Sequence, residues 1–373
     1  MKTIYSQRQD SSVSSVTSDQ RSSGKSDLTG GRRDANMDLM RITAMCLVMV
    51  YHVNYWGIAQ KYAPITTYNE LQIFGYTLMK CVAMVCVNMF VLISGWYGIR
   101  PNIKKLLSLF FQVWFFSILG YLVFVFLYED IHFSIAKFVH YIFFSDYWFV
   151  PAYLLLYILS PILNSFVENS TKRNLMVVII CFYLFQFVYG WFDRSPYFDH
   201  GCSPLVFLGL YLIARFLRIH NELYDKISIS KVAVGYLLVL FITVLLCTLM
   251  AIKGNVKWAE LLMQYSSPFT VCLSVLLLIF FSKLKLNSYK TIALLGTSSF
   301  AVYLFHDSTY FYEKIFYPIG CWIYVNNSTI CSLLLLFLFL SVIYLISFLL
   351  DLMRIVLWEK IARYFNVSST NSR

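Results

Sequence analysis

Apolar runs of about 20 residues recur between residues 37 and 357, and they constrain this chain more than any other feature. A helix of about 20 apolar residues crosses the roughly 30 Å hydrocarbon core of a bilayer. Such a helix also satisfies its own backbone hydrogen bonds where no water is present. The chain is therefore predicted to be an all-α, polytopic integral membrane protein.

The composition supports a membrane protein and argues against a soluble one. The chain has 373 residues, of which 59% are hydrophobic and 13% charged, and its mean hydropathy is +0.66. A soluble domain carries about 25% charged residues. The net charge of +11 does not indicate nucleic acid here, because the basic residues fall mainly in short segments between apolar runs. The nine cysteines show no metal-ligand spacing, and no metal is predicted.

Ten apolar runs are long enough to cross a bilayer, and about ten transmembrane helices are predicted. Basic residues concentrate in alternate connections, which predicts an even number of spans with both termini cytoplasmic. The ten runs lie near residues 37–57, 71–98, 106–128, 147–166, 174–192, 203–219, 231–252, 265–283, 290–309 and 329–357.

The segments outside these runs are short or polar. Residues 1–34 are rich in Ser, Thr, Gln and Gly and are predicted to be a disordered cytoplasmic tail without a signal peptide. Residues 35–366 form the predicted membrane domain, and residues 367–373 a short C-terminal tail. Residues 135–144 are predicted to form an interfacial helix on the external side. The connections leave no room for a soluble catalytic domain, so any chemistry belongs to the membrane domain itself.

Arg41 and His52 lie eleven residues apart in the first apolar run. Eleven helical steps make three turns plus about 20°, so both side chains lie on nearly one face, with a rise of about 16 Å between them. Asp38 is three residues from Arg41, a spacing that allows an ion pair. Arg41 also fits a simple helix-end anchor, and His52 a structural histidine. Ionisable residues within membrane segments nevertheless indicate function by default.

Positive charge collects after the second run, at Arg100, Lys104 and Lys105. This cluster fits orientation and contact with lipid phosphates as well as a receptor for a phosphorylated donor, since Arg and Lys pair with phosphate. Ser94 and Gly95, at the end of the run, are small enough for close helix approach.

Two further segments carry polar side chains in apolar surroundings. Trp148 opens the fourth run and is first of all an aromatic-belt residue. Tyr303 and His306 lie in the ninth run, where an interfacial histidine is the simpler interpretation of His306. The remaining histidines are interpreted as ordinary solvated residues: His132, His140, His200 and His220.

Together these segments resemble the membrane acyltransferase 3 family, which transfers acyl groups to cell-surface sugars. The family's first helix carries Arg or Lys, ten residues and then His, which corresponds here to Arg41 and His52. The segments resembling its Leu-Asp-Gly-Leu-Arg-Gly, Phe-x-x-x-Ser-Gly, Trp-Phe and Tyr-Leu-x-His stretches follow in family order at residues 37–42, 90–95, 148–164 and 303–306. In one departure, the family often has arginines three apart after the second segment, whereas Ile103 follows Arg100 at that offset.

The resemblance implies a multi-pass enzyme of the bacterial cytoplasmic membrane that moves an acyl group, expected to be acetyl, from cytoplasmic acyl-CoA to a hydroxyl of a surface glycan. Acetyl-CoA would be a donor substrate, and no permanently bound cofactor is expected. His52 would be the general base, and Arg41, Arg100 and Lys104 would bind the donor phosphates. The expected supporting residues are Asp38, Ser94, Trp148, Tyr303 and His306.

Two points stay open at the level of the sequence. The imidazole partner of His52 must come from another span, and His306, Tyr303 and Trp148 are unranked candidates. The alternative function is a transporter or flippase for a lipid-linked glycan or another polar metabolite. Transporters often show internal repeats and broken helices. No convincing repeat relates the two halves of this chain, and transport leaves the four ordered segments unexplained.

Overall fold

The computed structural model describes residues 34–54, 69–287, 290–327 and 329–365. The chain divides after Asp34, and the fold concerns the unit that begins at Ala35. Apart from Asp34, the predicted tail at 1–34 lies outside the described residues, and so does the predicted C-terminal tail at 367–373. Every regular element of the described residues is helical.

The helices are α1 (Ala35–Asn54), α2 (Glu70–Ala83), α3 (Cys86–Tyr97), α4 (Ile103–Leu127), α5 (Ile135–Phe143), α6 (Phe149–Asn169), α7 (Lys172–Phe185), α8 (Pro204–Ile219), α9 (Ile229–Ile252), α10 (Val256–Leu262), α11 (Pro268–Lys283), α12 (Lys290–Thr297), α13 (Ser299–His306), α14 (Thr309–Phe311), α15 (Tyr317–Asn326) and α16 (Thr329–Tyr364). Single π-helical turns follow α7 at Gln186–Phe192 and α14 at Tyr312–Phe316.

Within the residues that the structure describes, six helical segments are long and apolar enough to cross a membrane. Each coincides with one of the predicted runs, and the first of them joins α2 and α3 into one span. Helix α11 is apolar but shorter, with 16 residues. The six segments are Glu70–Tyr97, Ile103–Leu127, Phe149–Asn169, Lys172–Phe192, Ile229–Ile252 and Ile330–Tyr364.

The predicted run at 290–309 is not one continuous helix, because it is interrupted at Ser298 between α12 and α13. The hydroxyls of Thr297 and Ser299 donate to the carbonyls of Ala293 and Leu295, four residues back in each case. Such side-chain bonds compete with the backbone and bend helices. The interruption gives α13 its own direction toward α1 and α16, both of which it contacts.

Helix α3 lies at the centre of the packing, against α1, α8 and α11. Its contact with α8 depends on Gly95, because a Cβ at this position would lie 2.7 Å from the Tyr211 carbonyl oxygen and 2.8 Å from the Ala214 Cβ. Small residues permit such close approach between membrane helices. The close helix approach expected at Ser94 and Gly95 is therefore present at Gly95, where α3 crosses α8.

A buried ion pair fixes the long helix α16 against α4. Arg354 donates to Asp351 Oδ1 at 2.7 Å, and Gln112 of α4 donates to the same oxygen at 3.2 Å. Charged groups in such surroundings are costly unless paired. Asp351 Oδ1 therefore accepts hydrogen bonds from both helices.

Helix α5 is present where the interfacial helix is predicted and ends one residue earlier. Ile135, Val139 and Phe143 leave one side of it apolar and exposed. Spaced four residues apart, they form a stripe along one face of the helix. An exposed apolar stripe is typical of a helix that lies at a membrane surface.

Gly95→Ala is expected to lower the free energy of unfolding by about 1–3 kcal/mol, because the added methyl group overpacks the α3–α8 crossing. The measurement is the thermal unfolding midpoint in detergent. Gly75→Ala is the matched control, since a Cβ at that glycine of α2 meets nothing within 4 Å. Equal midpoints for the two variants would contradict this account of the crossing.

Candidate functional site

Two histidines from distant parts of the chain meet in the centre of the fold. His52 Nδ1 of α1 lies 3.0 Å from His306 Nε2 of α13. His306 is fully buried, and His52 is half-buried. Of the three candidates for the partner of His52, His306 is thus the one that bonds to the imidazole. These two residues are called the histidine pair below.

The hydrogen bonds of the histidine pair fix its tautomers. His306 Nδ1 lies 2.6 Å from the carbonyl oxygen of Val302. A carbonyl only accepts, so Nδ1 of His306 carries the proton, and in the neutral ring Nε2 is an acceptor. His52 Nδ1 must then donate to it. The result is a lone pair on His52 Nε2, the atom that a general base requires.

Asp307 supplies a negative charge beside the histidine pair. Its Oδ1 lies 3.4 Å from His52 Nδ1. The carboxylate therefore faces the ring nitrogen that carries the proton of His52. Sequence reasoning did not assign this residue. The signal that was available is its place directly after His306, at the end of an apolar run.

Aromatic rings surround His52 on several sides. The ring centroids of Tyr303 and Tyr312 lie 6.5 and 6.4 Å from that of His52. The Tyr147 hydroxyl donates to the Leu304 carbonyl at 2.6 Å, which ties the start of α6 to α13. The Tyr303 ring therefore borders the site beside His52, while Tyr147 holds the helix that carries His306.

The segment that follows Asp307 is clamped to the α5 region. Thr309 donates to Asp146 at 3.1 Å, and Lys137 donates to the Tyr310 hydroxyl at 2.7 Å. Lys314 donates to Asp130, and this bond lowers the pKa of the Asp130 carboxyl. These contacts hold the chain on the C-terminal side of the histidine pair.

A polar cavity of about 850 Å³ opens beside the histidine pair. Trp148 and Tyr265 line it from one side, and His52 and Asp307 contribute to its wall. Sequence reasoning missed most of its polar residues, because they come from five separate segments. Besides His52 and Asp307, the His, Lys, Asp and Glu side chains that line it are Lys80, Asp199, His200, Glu260 and Glu313.

A second and much smaller space, the apolar slot, continues from His52 toward Arg41. It measures about 40 Å³ and also borders Trp148 and Tyr303. A water molecule takes up about 30 Å³ in the liquid, so the slot has room for one or two. Its other lining residues are Met45, Val48, Val87, Phe90, Phe149, Tyr265 and Phe300.

The Arg41 cluster lies at the far end of α1 and comprises Asp38, Arg41, Ser94, Tyr97 and Tyr153. Arg41 donates to Asp38 at 2.5 Å and lies over the Tyr97 ring, 5.5 Å from its centroid. The Ser94 and Tyr153 hydroxyls are 3.3 Å apart. The predicted ion pair between Asp38 and Arg41 is therefore present, and Ser94 belongs to this end and not to the histidine pair.

Arg100 lies on the loop between α3 and α4, three residues beyond Tyr97 of this cluster, and Lys104 lies on the first turn of α4. Arg100 is exposed and Lys104 half-buried. The loop itself is fixed, because the Tyr211 hydroxyl accepts from Ile99 N at 2.9 Å and the Tyr157 hydroxyl accepts from Asn102 N at 2.7 Å. The expected site residues thus divide into two groups, about 16 Å apart along α1.

Residues 34–356 match the model of the acyltransferase 3 family, described as an acyltransferase domain. The chain belongs to the acyltransferase 3 family. The matched range holds the histidine pair, the polar cavity and the Arg41 cluster. No curated protein and no solved structure shows a significant match to the chain. The resemblance inferred from the ordered segments is confirmed, and the protein is a multi-pass membrane acyltransferase.

The tautomers of the histidine pair can be measured by ¹⁵N NMR of histidine-labelled protein in detergent. At neutral pH, His52 and His306 are both expected to carry their proton on Nδ1, and single substitution of each assigns its signals. In His306→Phe the Nδ1 proton of His52 loses its acceptor, so the signal of His52 is expected to change. A wild-type His52 protonated on Nε2 would contradict the assignment.

Proposed function

We propose that the protein transfers an acyl group, most simply acetyl, from cytoplasmic acyl-CoA to a hydroxyl of an extracytoplasmic or lipid-linked surface glycan. The observation that carries this proposal is the position of His52, between the polar cavity and the apolar slot and hydrogen-bonded to His306. Membership of the acyltransferase 3 family supplies the reaction type. The donor, the acceptor and the role of His52 are the proposal.

The proposed topology has ten spans in the bacterial cytoplasmic membrane, with both termini in the cytoplasm. It rests on the excess of basic residues in alternate connections. It puts the Arg41 cluster at the cytoplasmic surface and the polar cavity on the external side. A phosphorylated donor, too charged to cross the bilayer, would then meet cations, and the glycan would enter a cavity open to its own compartment.

In the proposed donor site, Arg41, Arg100 and Lys104 bind phosphate groups of acyl-CoA at the cytoplasmic mouth. The acyl-pantetheine arm then extends through the apolar slot toward His52, over the rise of about 16 Å along α1. The slot has room for only one or two water molecules, so the side chains that line it must move when the arm enters. An unbranched, flexible chain needs the least widening.

The chemical step follows from the tautomer of His52. Its Nε2 removes the proton of the acceptor hydroxyl, and the oxygen attacks the thioester carbonyl carbon. The resulting imidazolium is stabilised by Asp307, 3.4 Å from Nδ1, and is positioned by His306. The tetrahedral intermediate expels the CoA thiolate, which takes the proton from Nε2. The products are the acyl ester and CoA, and His52 is neutral again.

The polar cavity has the size and lining expected of an acceptor site. Its volume of about 850 Å³ falls within the usual range of ligand sites, about 300–1,000 Å³. Carboxylates accept hydrogen bonds from hydroxyl groups, and the rings of Trp148 and Tyr265 provide apolar surface for the sugar. His52, in the wall, would meet a hydroxyl of the bound sugar.

His52→Ala is expected to lower acyl transfer by about 10²–10⁴-fold, because it removes the general base. The measurement is transfer of label from acetyl-CoA to surface glycan in membranes that hold equal amounts of folded protein. His132→Ala is the control, since His132 is exposed and lies outside the cavity lining. Full activity of His52→Ala would exclude the proposed mechanism.

The transporter alternative is tested in the producing cell. Loss of the protein is expected to remove acyl esters from the surface glycan, as measured by NMR of the extracted material, while the amount of glycan stays unchanged. His52→Ala in place of the wild-type protein should reproduce this loss. An unchanged ester content with a reduced amount of surface glycan would favour transport.

Arg41→Ala is expected to raise the apparent KM for acetyl-CoA by about tenfold or more, because a charged hydrogen bond to phosphate is lost. The apparent KM for the glycan should stay unchanged. Arg41→Lys should keep part of the effect of the charge but not the planar guanidinium. An unchanged KM for acetyl-CoA in Arg41→Ala would remove the role assigned to Arg41.

A further inference from the structure

Three arginines from two helices lie against three consecutive residues at the end of α3. Arg41 of α1 lies over the Tyr97 ring. Arg218 of α8 lies over the Trp96 ring, with its Cζ 4.9 Å from the centroid. The guanidinium of the third, Arg215 of α8, lies over Gly98. The α8 arginines are three residues apart, so they share one side of that helix.

The place of the Arg215 guanidinium depends on the absence of a side chain at position 98. A Cβ there would lie 3.0 Å from Arg215 Nη1 and 3.2 Å from its Cζ. Gly98 also has a φ of +72°, in the region that favours glycine. The end of α3 is therefore shaped to hold a guanidinium against its backbone.

The two α8 arginines have no carboxylate partner among the described residues. Arg41 is paired with Asp38, but neither Arg215 nor Arg218 forms an ion pair with a carboxylate of the described residues. In that part of the chain, Arg215 Nε is moreover buried and has no hydrogen-bond partner. A buried donor without an acceptor is costly. Contact with the end of α3 alone leaves that cost unexplained.

We propose that Arg215 and Arg218 bind a phosphate group of the donor. This inference rests on the proposed function and extends the donor site beyond the cations after α3. A phosphate supplies several acceptor oxygens, and a pair of guanidinium groups can bind it with bidentate geometry. The fixed loop between α3 and α4 holds Arg100 two residues beyond Gly98, so one anion-binding surface joins α1, α3 and α8.

The test measures dissociation constants for coenzyme A and for pantetheine, which lacks phosphate, using the full chain in nanodiscs. Arg215→Gln and Arg218→Gln are each expected to weaken binding of coenzyme A by about tenfold or more, since a charged hydrogen bond is lost. Binding of pantetheine should stay unchanged. Arg173→Gln is the matched control, because it removes an exposed cation from the start of α7, on the same proposed side.

Two further variants separate binding from folding. Gly98→Ala keeps every charge but displaces the Arg215 guanidinium, and it should also weaken coenzyme A binding. Arg215→Lys keeps the charge without the planar fork and should restore part of the affinity lost in Arg215→Gln. A purely structural role would change the unfolding midpoint and would affect the two ligands equally.

The outcomes distinguish this inference from the proposed function. If the wild-type protein binds coenzyme A no more tightly than pantetheine, the proposal of a donor recognised through its phosphate groups is wrong. If the wild-type protein prefers coenzyme A and both Arg215→Gln and Arg218→Gln keep the full preference, the α8 arginines do not bind the phosphate. The proposal that acyl-CoA is the donor is then unaffected. If only the two α8 variants and Gly98→Ala lose the preference, the inference holds.

Discussion

The hydrogen bond between His52 and His306 is the interaction on which the site depends. It joins α1 to α13, which are separated by most of the chain. Because the Val302 carbonyl holds the His306 proton on Nδ1, His52 is always the donor in this bond and His306 the acceptor. Buried polar groups in apolar surroundings must be paired, so the same bond is a condition of packing α13 against α1. The interruption at Ser298 lets α13 reach that position.

The sequence predicted what depends on local geometry. Arg41 and His52 share a face because both lie on one uninterrupted helix, and Asp38 pairs with Arg41 because three residues separate them. The partner of His52 could only be narrowed to three candidates, since His306 lies 254 positions further along the chain. Glu260 escaped notice because no local pattern brings its helix to the polar cavity.

Hydropathy measures the length of an apolar run but not its continuity. In the described part of the chain, six of the ten runs are helices both long and apolar enough to cross a bilayer. The run at 290–309 is instead divided where hydroxyls bond to carbonyls of the preceding turn. The hydropathy of a segment and the bonding of its hydroxyl side chains to the backbone are independent properties. The predicted spans depend on hydropathy alone. Thr297 and Ser299, on either side of Ser298, carried the missing signal.

The difference in size between the polar cavity and the apolar slot favours acyl transfer over transport. A transporter must open a path for the whole solute, whereas transfer of an acyl group requires passage of only a narrow arm. The cavity of about 850 Å³ ends at His52, beyond which the slot offers about 40 Å³. The wall of the slot at Val87 and Phe90 belongs to α3, and Gly95 lets α3 pack tightly against α8. Widening this wall enough for a sugar would separate two helices that approach at backbone distance, whereas an unbranched thioester arm needs less widening.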